Sequence, residues 1–269
     1  MTSMQSQSMP DRHPKRRTGR KIPVPATRAS FIHPAAVLGR NVVLGSGVVI
    51  EAQAVVEDEV VLDDEVTIGA GAFVGRGCHI GHGSSLRAGV AVYHRTVIGR
   101  GVTIESGVVI GADGFGYAPG DKGPYKIPQV GIVIVQDGAY IGAGSCVDRA
   151  ALGKTIIGED VRIGRQVQIG HNVQIGAGTT IGDQSGICGS TKIGCNCRLG
   201  RRVGVTGHLV IEDDVVVEDY TGISKNVSRG AHMVGFPATD PRSEDLRQGL
   251  LDRLPVLYKQ VQGLENRVK

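Results

Sequence analysis

The chain has 269 residues, with 41 glycines, no tryptophan, six tyrosines and four phenylalanines. Its core must therefore be aliphatic, which excludes a conventional globule anchored on aromatic rings. The formal charge is +4, but residues 1–30 hold seven basic side chains against one acid, Asp11, so the rest is slightly acidic and gives no warrant for nucleic-acid binding by the folded part.

Residues 1–30 also contain Pro10, Pro14, Pro23 and Pro25. They are too polar and too broken to pack, and a disordered basic tail is predicted there. Met1–Pro10 lacks the apolar segment of a secretory signal, and no apolar run of about 18 residues occurs, so a cytoplasmic protein without a transmembrane segment is expected. The five scattered cysteines are an odd number and are expected to be reduced thiols.

From Ile32 every sixth residue is Ile, Leu or Val, through Leu38, Leu44, Ile50 and onward to Ile110. The frame breaks over 112–130, resumes at Val135, Ile141 and Val147, slips by four positions, and runs from Ile157 to Ile223. Six is a multiple of the strand period of two and foreign to the 3.6 of a helix. Each hexad therefore reads as a short strand and a corner. The aliphatic residue points inward, a small or β-branched residue follows four positions later, and a glycine such as Gly69, Gly81 or Gly170 admits the tight turn. Three hexads close one coil. The prediction is an all-β fold over 31–230, a parallel β-helix of about ten coils stacked at about 4.8 Å, with a loop insertion at 112–130. The repeat resembles that of the hexapeptide acyltransferases, whose parallel β-helix is left-handed. The hand is taken from that resemblance, because parallel crossovers are ordinarily right-handed.

After Val227 the repeat stops, and 231–269 reads as a connector and a C-terminal α-helix. Ser243 is the predicted N-cap, with Glu244 and Asp245 in the first turn. Leu246, Leu250, Leu254, Leu257, Val261, Leu264 and Val268 form a heptad-like stripe that favours bundling with symmetry-related copies. Pro255 is expected to kink or split the helix.

In such a prism, residues three hexads apart lie above one another. Six of the eight histidines find no partner on this ruler: His13 and His232 lie outside the repeat, and His33, His79, His82 and His94 read as solvent-facing. His171 differs, because Gly189 follows it by three hexads, and His208 by six hexads and one further position. The spacing predicts His171, the Gly189 N–H and His208 along one edge of roughly 10 Å. Imidazole can take a proton near neutral pH, and a glycine N–H can hold a tetrahedral oxyanion, which suits acyl transfer from a thioester. Metal chemistry fits poorly. No H-x4-H pair exists, and Cys195 and Cys197 share one hexad with Cys197 inward.

The runs Ile110 to Ala118, Lys126 to Gly131, Val147 to Leu152, Gln168 to Asn172 and Thr206 to Leu209 together resemble the UDP-3-O-acylglucosamine N-acyltransferase family of lipid A assembly. That resemblance implies His171 as general base, Gly189 as oxyanion donor, and His208 as a contact to the nucleotide diphosphate or an aid to the base. Asp113, Phe115, Gly116 and Asn172 are expected to bind substrate. No cofactor or metal is implied. The donor would be a 3-hydroxyacyl chain on acyl carrier protein, met by Lys192, Arg198, Arg201, Arg202 and the C-terminal helix, and the acceptor a UDP-amino-sugar. The protein would be a homotrimer in which the 112–130 loop reaches a neighbouring subunit. Two departures stand out. The family carries a globular uracil-stacking domain ahead of the coils, whereas here coils begin at about residue 31. The family also has an acidic residue where this chain has Gly164, so no carboxylate is expected to orient the imidazole. An acetyl-CoA-dependent sugar acetyltransferase and a catalytically silent trimeric scaffold are the alternative readings.

Overall fold

The computed structural model describes residues 29–121 and 123–268, the side chains of Arg267 and Val268 excepted. The tail expected over 1–30 thus lies outside the described residues but for its last two.

Each hexad forms a strand of two residues, as in Val49–Ile50, Val55–Val56 and Val61–Leu62. The second residue turns inward because its aliphatic side chain can be buried only there. The strands stack into three parallel faces of eleven, ten and nine strands, which begin at Phe31–Ile32, Val37–Leu38 and Val43–Leu44 respectively. The register step is one coil of three hexads, as in Val49↔Thr67 and Thr67↔Ser85. Ile50, Ile68, Ile80, Leu86 and Ile104 fill the interior, and the positions four later, among them Ala54, Ala72, Cys78 and Val90, are buried as well. Most inward hydroxyls are satisfied by the stack, those of Thr96 and Thr221 excepted. Ser84 Oγ donates to the Gly99 carbonyl at 2.7 Å and accepts the Val102 N–H at 3.0 Å.

The corners correct one expectation. The glycine after the inward residue is not the one with the left-handed backbone. At Gly69 a Cβ would stand 2.6 Å from the carbonyl carbon of Arg87 in the next coil, so this glycine admits close stacking, and the positive φ falls two positions later, at Gly71. Several corners are also clasped by an aspartate. The N–H groups of Arg40, Ser46, Arg165 and Arg201 donate to Oδ1 of Asp58, Asp64, Asp183 and Asp219, each one coil on, at 2.7–2.8 Å.

The two breaks in the frame appear as register steps longer than one coil. Val109 pairs with Cys146, and Cys146 in turn with Gln168. The first insertion folds out as a small antiparallel hairpin, Tyr117–Ala118 with Tyr125–Lys126. Strands beside the breaks lengthen, to Val109–Asp113, Ile132–Val135, Cys146–Arg149 and Lys154–Ile157.

Beyond Val227 the chain adds one strand that the repeat does not forecast, His232–Met233, paired with Val216–Val217 at a step shorter than three hexads. The C-terminal helix spans Pro241–Val268 and starts before Ser243. Asp240 is the cap: its carboxylate accepts the Ser243 N–H at 3.0 Å and the Ser243 hydroxyl at 2.6 Å. Pro241 then takes the first helical position, where its missing N–H costs nothing. The helix continues through Pro255 as one element, so the expected split does not occur. Its stripe of Leu246, Leu250, Leu254, Leu257 and Val261 is exposed.

Candidate active site

On the second face the outward residues of successive coils are Val109, Cys146, Gln168, Gly186, Gly204 and Gly222. Gly186 and Gly204 leave the backbone bare, while Gly222 is buried under the Phe236 ring, which a Cβ there would overlap. A Cβ at Gly186 or Gly204 would touch nothing within 4 Å, so the fold does not demand glycine there. Their effect is to open a groove of about 860 Å³. It runs along the bare strands from Asp113 and Phe115 to Phe236 and Pro237, with His171, Cys188, Gly189 and Thr206 along its edge.

His171 stands at the corner between the second and third faces, half-buried. The Ser190 N–H donates to the His171 carbonyl at 2.8 Å, and the His208 N–H to that of Gly189 at 3.1 Å. The coil thus places Gly189 directly over His171 and Gly207 over Gly189. Both glycines occupy the position that an aspartate holds at the clasped corners. Among the described residues the N–H of Gly189 has no acceptor, so it is available to a ligand. Gly189 is also sterically required, since a Cβ there would lie 2.5 Å from His171 Cε1.

The other wall is supplied by the first insertion. At Gly111, with φ +84°, the strand shifts register against Cys146–Arg149, and the chain swings over the second face. Arg149, 2% exposed, holds this bend: its Nε donates to the Gly111 carbonyl at 2.6 Å and Nη2 to the His94 carbonyl at 3.2 Å. Nη1 meets His94 Nε2, so His94 faces solvent as expected but has a partner, and burial followed by the Arg149 charge pushes its pKa down. Asp113 emerges from the bend paired with Lys126 Nζ. Gly114 follows, so close to His171 that a Cβ would lie 2.9 Å from the histidine's own Cβ.

Among the described residues no carboxylate forms a hydrogen bond or ion pair with His171, but one shares its groove. Asp148, from the second break in the frame, lines the same groove and accepts a hydrogen bond from Gln168 Nε2 at 3.0 Å. Burial raises its pKa, while the Gln168 hydrogen bond and the charge of His171 lower it. Arg165 sits at another corner, its N–H clasped by Asp183, in a separate cavity with Gln166, Gln184, Arg201, Arg202 and Tyr220.

Of the residues expected at the site, His171, Gly189, Asp113 and Phe115 line the groove. Three others are placed elsewhere. His208 is one position further round the corner, at φ +62° and exposed, because its spacing from His171 overshoots two coils by one position. Asn172 is committed to the fold: its Oδ1 accepts the Ala151 N–H at 3.0 Å and its Nδ2 donates to the Leu152 carbonyl at 2.7 Å. Gly116 packs on Gln129, whose Nε2 would lie 3.2 Å from a Cβ there. The basic side chains also do not form one surface. Lys192 lies on the third face and Arg198 on the first, Arg201 pairs with Asp219 at 2.7 Å, and Arg202 stacks on Tyr220. Asp148 and the glycine floor are not among the expected features, although glycine recurring once per coil, just before the inward aliphatic, is a signal that the sequence carries.

Family models for the bacterial transferase hexapeptide repeat and for the GMPPB C-terminal domain match residues 154–189 and 23–113. Two solved structures share the architecture. UDP-N-acetylglucosamine O-acyltransferase from Moraxella catarrhalis aligns with TM-score 0.64 at 22% identity, over 81% of this chain and 77% of that one. The UDP-N-acetylglucosamine acyltransferase of Francisella novicida gives 0.65 at 22% identity, over 74% and 73%. The protein is accordingly a hexapeptide-repeat chain of the left-handed parallel β-helix class.

Within that class it is homologous to the UDP-3-O-acylglucosamine N-acyltransferases. It is 46% identical to that of Chlorobium chlorochromatii over 62% of this chain and 47% of the relative. With the Desulfotalea psychrophila protein it shares 48% identity over 63% of this chain and 49% of the relative. The chain therefore spans about half the length of these curated relatives.

Proposed function

We propose that the protein is an N-acyltransferase that moves a 3-hydroxyacyl chain from the thioester of acyl carrier protein to the amine of a UDP-amino-sugar, in lipid A-type biosynthesis. The observation that carries the reading is the imidazole of His171 beside an unoccupied Gly189 N–H, at the edge of a long groove floored by glycine. An apolar chain laid on Gly186 and Gly204 would bring its carbonyl end to that corner. His171 takes a proton from the amine as nitrogen attacks the thioester carbon, and the Gly189 N–H holds the oxyanion. Collapse forms the amide, breaks the C–S bond and releases the thiolate, which recovers the proton from the imidazolium. The groove is longer than an acetyl group needs, which favours a long-chain donor over acetyl-CoA.

The same reading makes the protein a homotrimer. The exposed leucine stripe of the C-terminal helix would be covered by two copies of itself. No helix among the described residues is long and apolar enough to cross a membrane. Purified protein incubated with hydroxyacyl carrier protein and UDP-3-O-acylglucosamine, beside a His171→Ala control, tests the reaction. Absence of amide product, or product from both proteins alike, would overturn it, and light scattering that returned a monomer mass would remove the trimer.

A further inference from the structure

Gln129 ends the loop that carries the hairpin, is 7% exposed, and takes no part in the chemistry above. Its Nε2 donates to the Ile127 carbonyl at 3.1 Å. That contact fixes which way the amide points, because only its NH₂ end can face a carbonyl oxygen. The Oε1 end is sealed from solvent and has no hydrogen-bond donor. Buried side-chain oxygens are ordinarily paired, so an orphan of this kind requires a partner.

Across Gly114 lies the His171 imidazole, and no hydrogen bond joins it to Oε1 in this structure. A Cβ on Gly114 would lie 3.1 Å from Gln129 Oε1 and 3.1 Å from His171 Nδ1, so the two atoms border one gap that exists because residue 114 has no side chain. A substrate cannot reach an oxygen that solvent does not reach. Asp148, the carboxylate that shares the groove with His171, has its Oδ1 engaged by Gln168. We infer that Gln129 is a positioning residue for His171: closing the gap across Gly114 lets its Oε1 accept the Nδ1–H, so that Nε2 keeps the lone pair and serves as the base. A neutral imidazole carries one N–H, and an acceptor beside Nδ1 selects the tautomer with the proton there. The inference deepens the reading of His171 as general base and rests on it.

The tautomer can be read without turnover. In protein labelled with ¹⁵N in its histidine rings, long-range ¹H–¹⁵N spectra at pH 8 are expected to show His171, identified by its loss in His171→Ala, as the Nδ1–H form. Gln129→Met keeps the shape and removes the acceptor, and it is expected to move His171 toward the Nε2–H form. Gly114→Ala fills the gap from the other side and should do the same, which covers the case in which Gln129→Met fails to fold. In the transfer assay, Gln129→Met should lower kcat by about tenfold or more with KM unchanged within about twofold, and Gln129→Glu, which retains an acceptor, should recover part of the rate. A wild-type His171 in the Nε2–H form, or spectra unmoved by both variants, would overturn the assignment. Because the spectra need no activity, failure of the proposed reaction and failure of this assignment remain distinguishable.

Discussion

Along the second face, the first five strands and the last three differ at one position per coil. Val37, Val55, Phe73, Ala91 and Val109 point outward from the former, Gly186, Gly204 and Gly222 from the latter. Their inward neighbours are alike: Val56, Val74 and Val92 on one side, and Ile187, Val205 and Ile223 on the other, all buried. One backbone therefore carries a wall of side chains in one region and, in the other, a floor that is bare at Gly186 and Gly204 and covered by Phe236 at Gly222. Inward residues hold the prism together, and outward residues decide what can lie against it.

The sharpest way to break this comparison is at the corner above the floor. His171→Ala should lower kcat by ~10²- to 10⁴-fold, the range for loss of a general base, with the melting temperature unchanged. Gly189→Ala should cost as much, because its Cβ displaces the ring. A milder loss from both, measured in steady-state kinetics, would mean that the corner is not where chemistry occurs.

Asp148→Asn comes next and separates function from stability. Burial raises this carboxyl, so between the unfolded value and the raised folded value the native state binds more protons than the unfolded state. Stability therefore falls as pH rises through that window, and the ionised group remains a burden above it. The variant should melt higher than wild type at pH 7 and at the same temperature near pH 3, while kcat drops by about tenfold or more. Melting curves that differ most at acid pH would contradict the assignment.

Gly204→Val writes a first-region residue into the floor. Nothing obstructs the new side chain, so calorimetry should show a fold unchanged or stabilised by up to about 1 kcal/mol, while transfer of long acyl chains falls several-fold relative to short ones. The reciprocal change, Val55→Gly, should be the smallest: about 0.5–1 kcal/mol of stability lost and no change in rate.

The prism is legible in the sequence because every inward position must be aliphatic and the period is short enough to repeat from Ile32 to Ile223. The corner is legible for the same reason, since Gly189 lies one coil above His171. Where the period breaks, the ruler no longer applies. Asp148 lies in the lengthened step from Cys146 to Gln168, and its proximity to His171 follows from no fixed spacing. Arg149 reaches back to His94 through the bend at Gly111, a contact that no multiple of the hexad forecasts. His208 misses the edge by one position because a corner turns the chain within that distance. At the C-terminus, Ser243 has the residue type of a cap, but Asp240 binds both its N–H and its hydroxyl and takes the role instead.

The unbroken register of the first five coils has a consequence for length. Val49 pairs with Phe31 below it and Thr67 above it, and each coil there answers only to its immediate neighbours. Removing residues 55–72 would join Ala54 to Phe73, shorten the rod by about 4.8 Å and leave the groove unaltered. The first half of the molecule is thus a spacer graduated in whole coils, and it sets how far the His171 corner stands from the first strand, Phe31–Ile32.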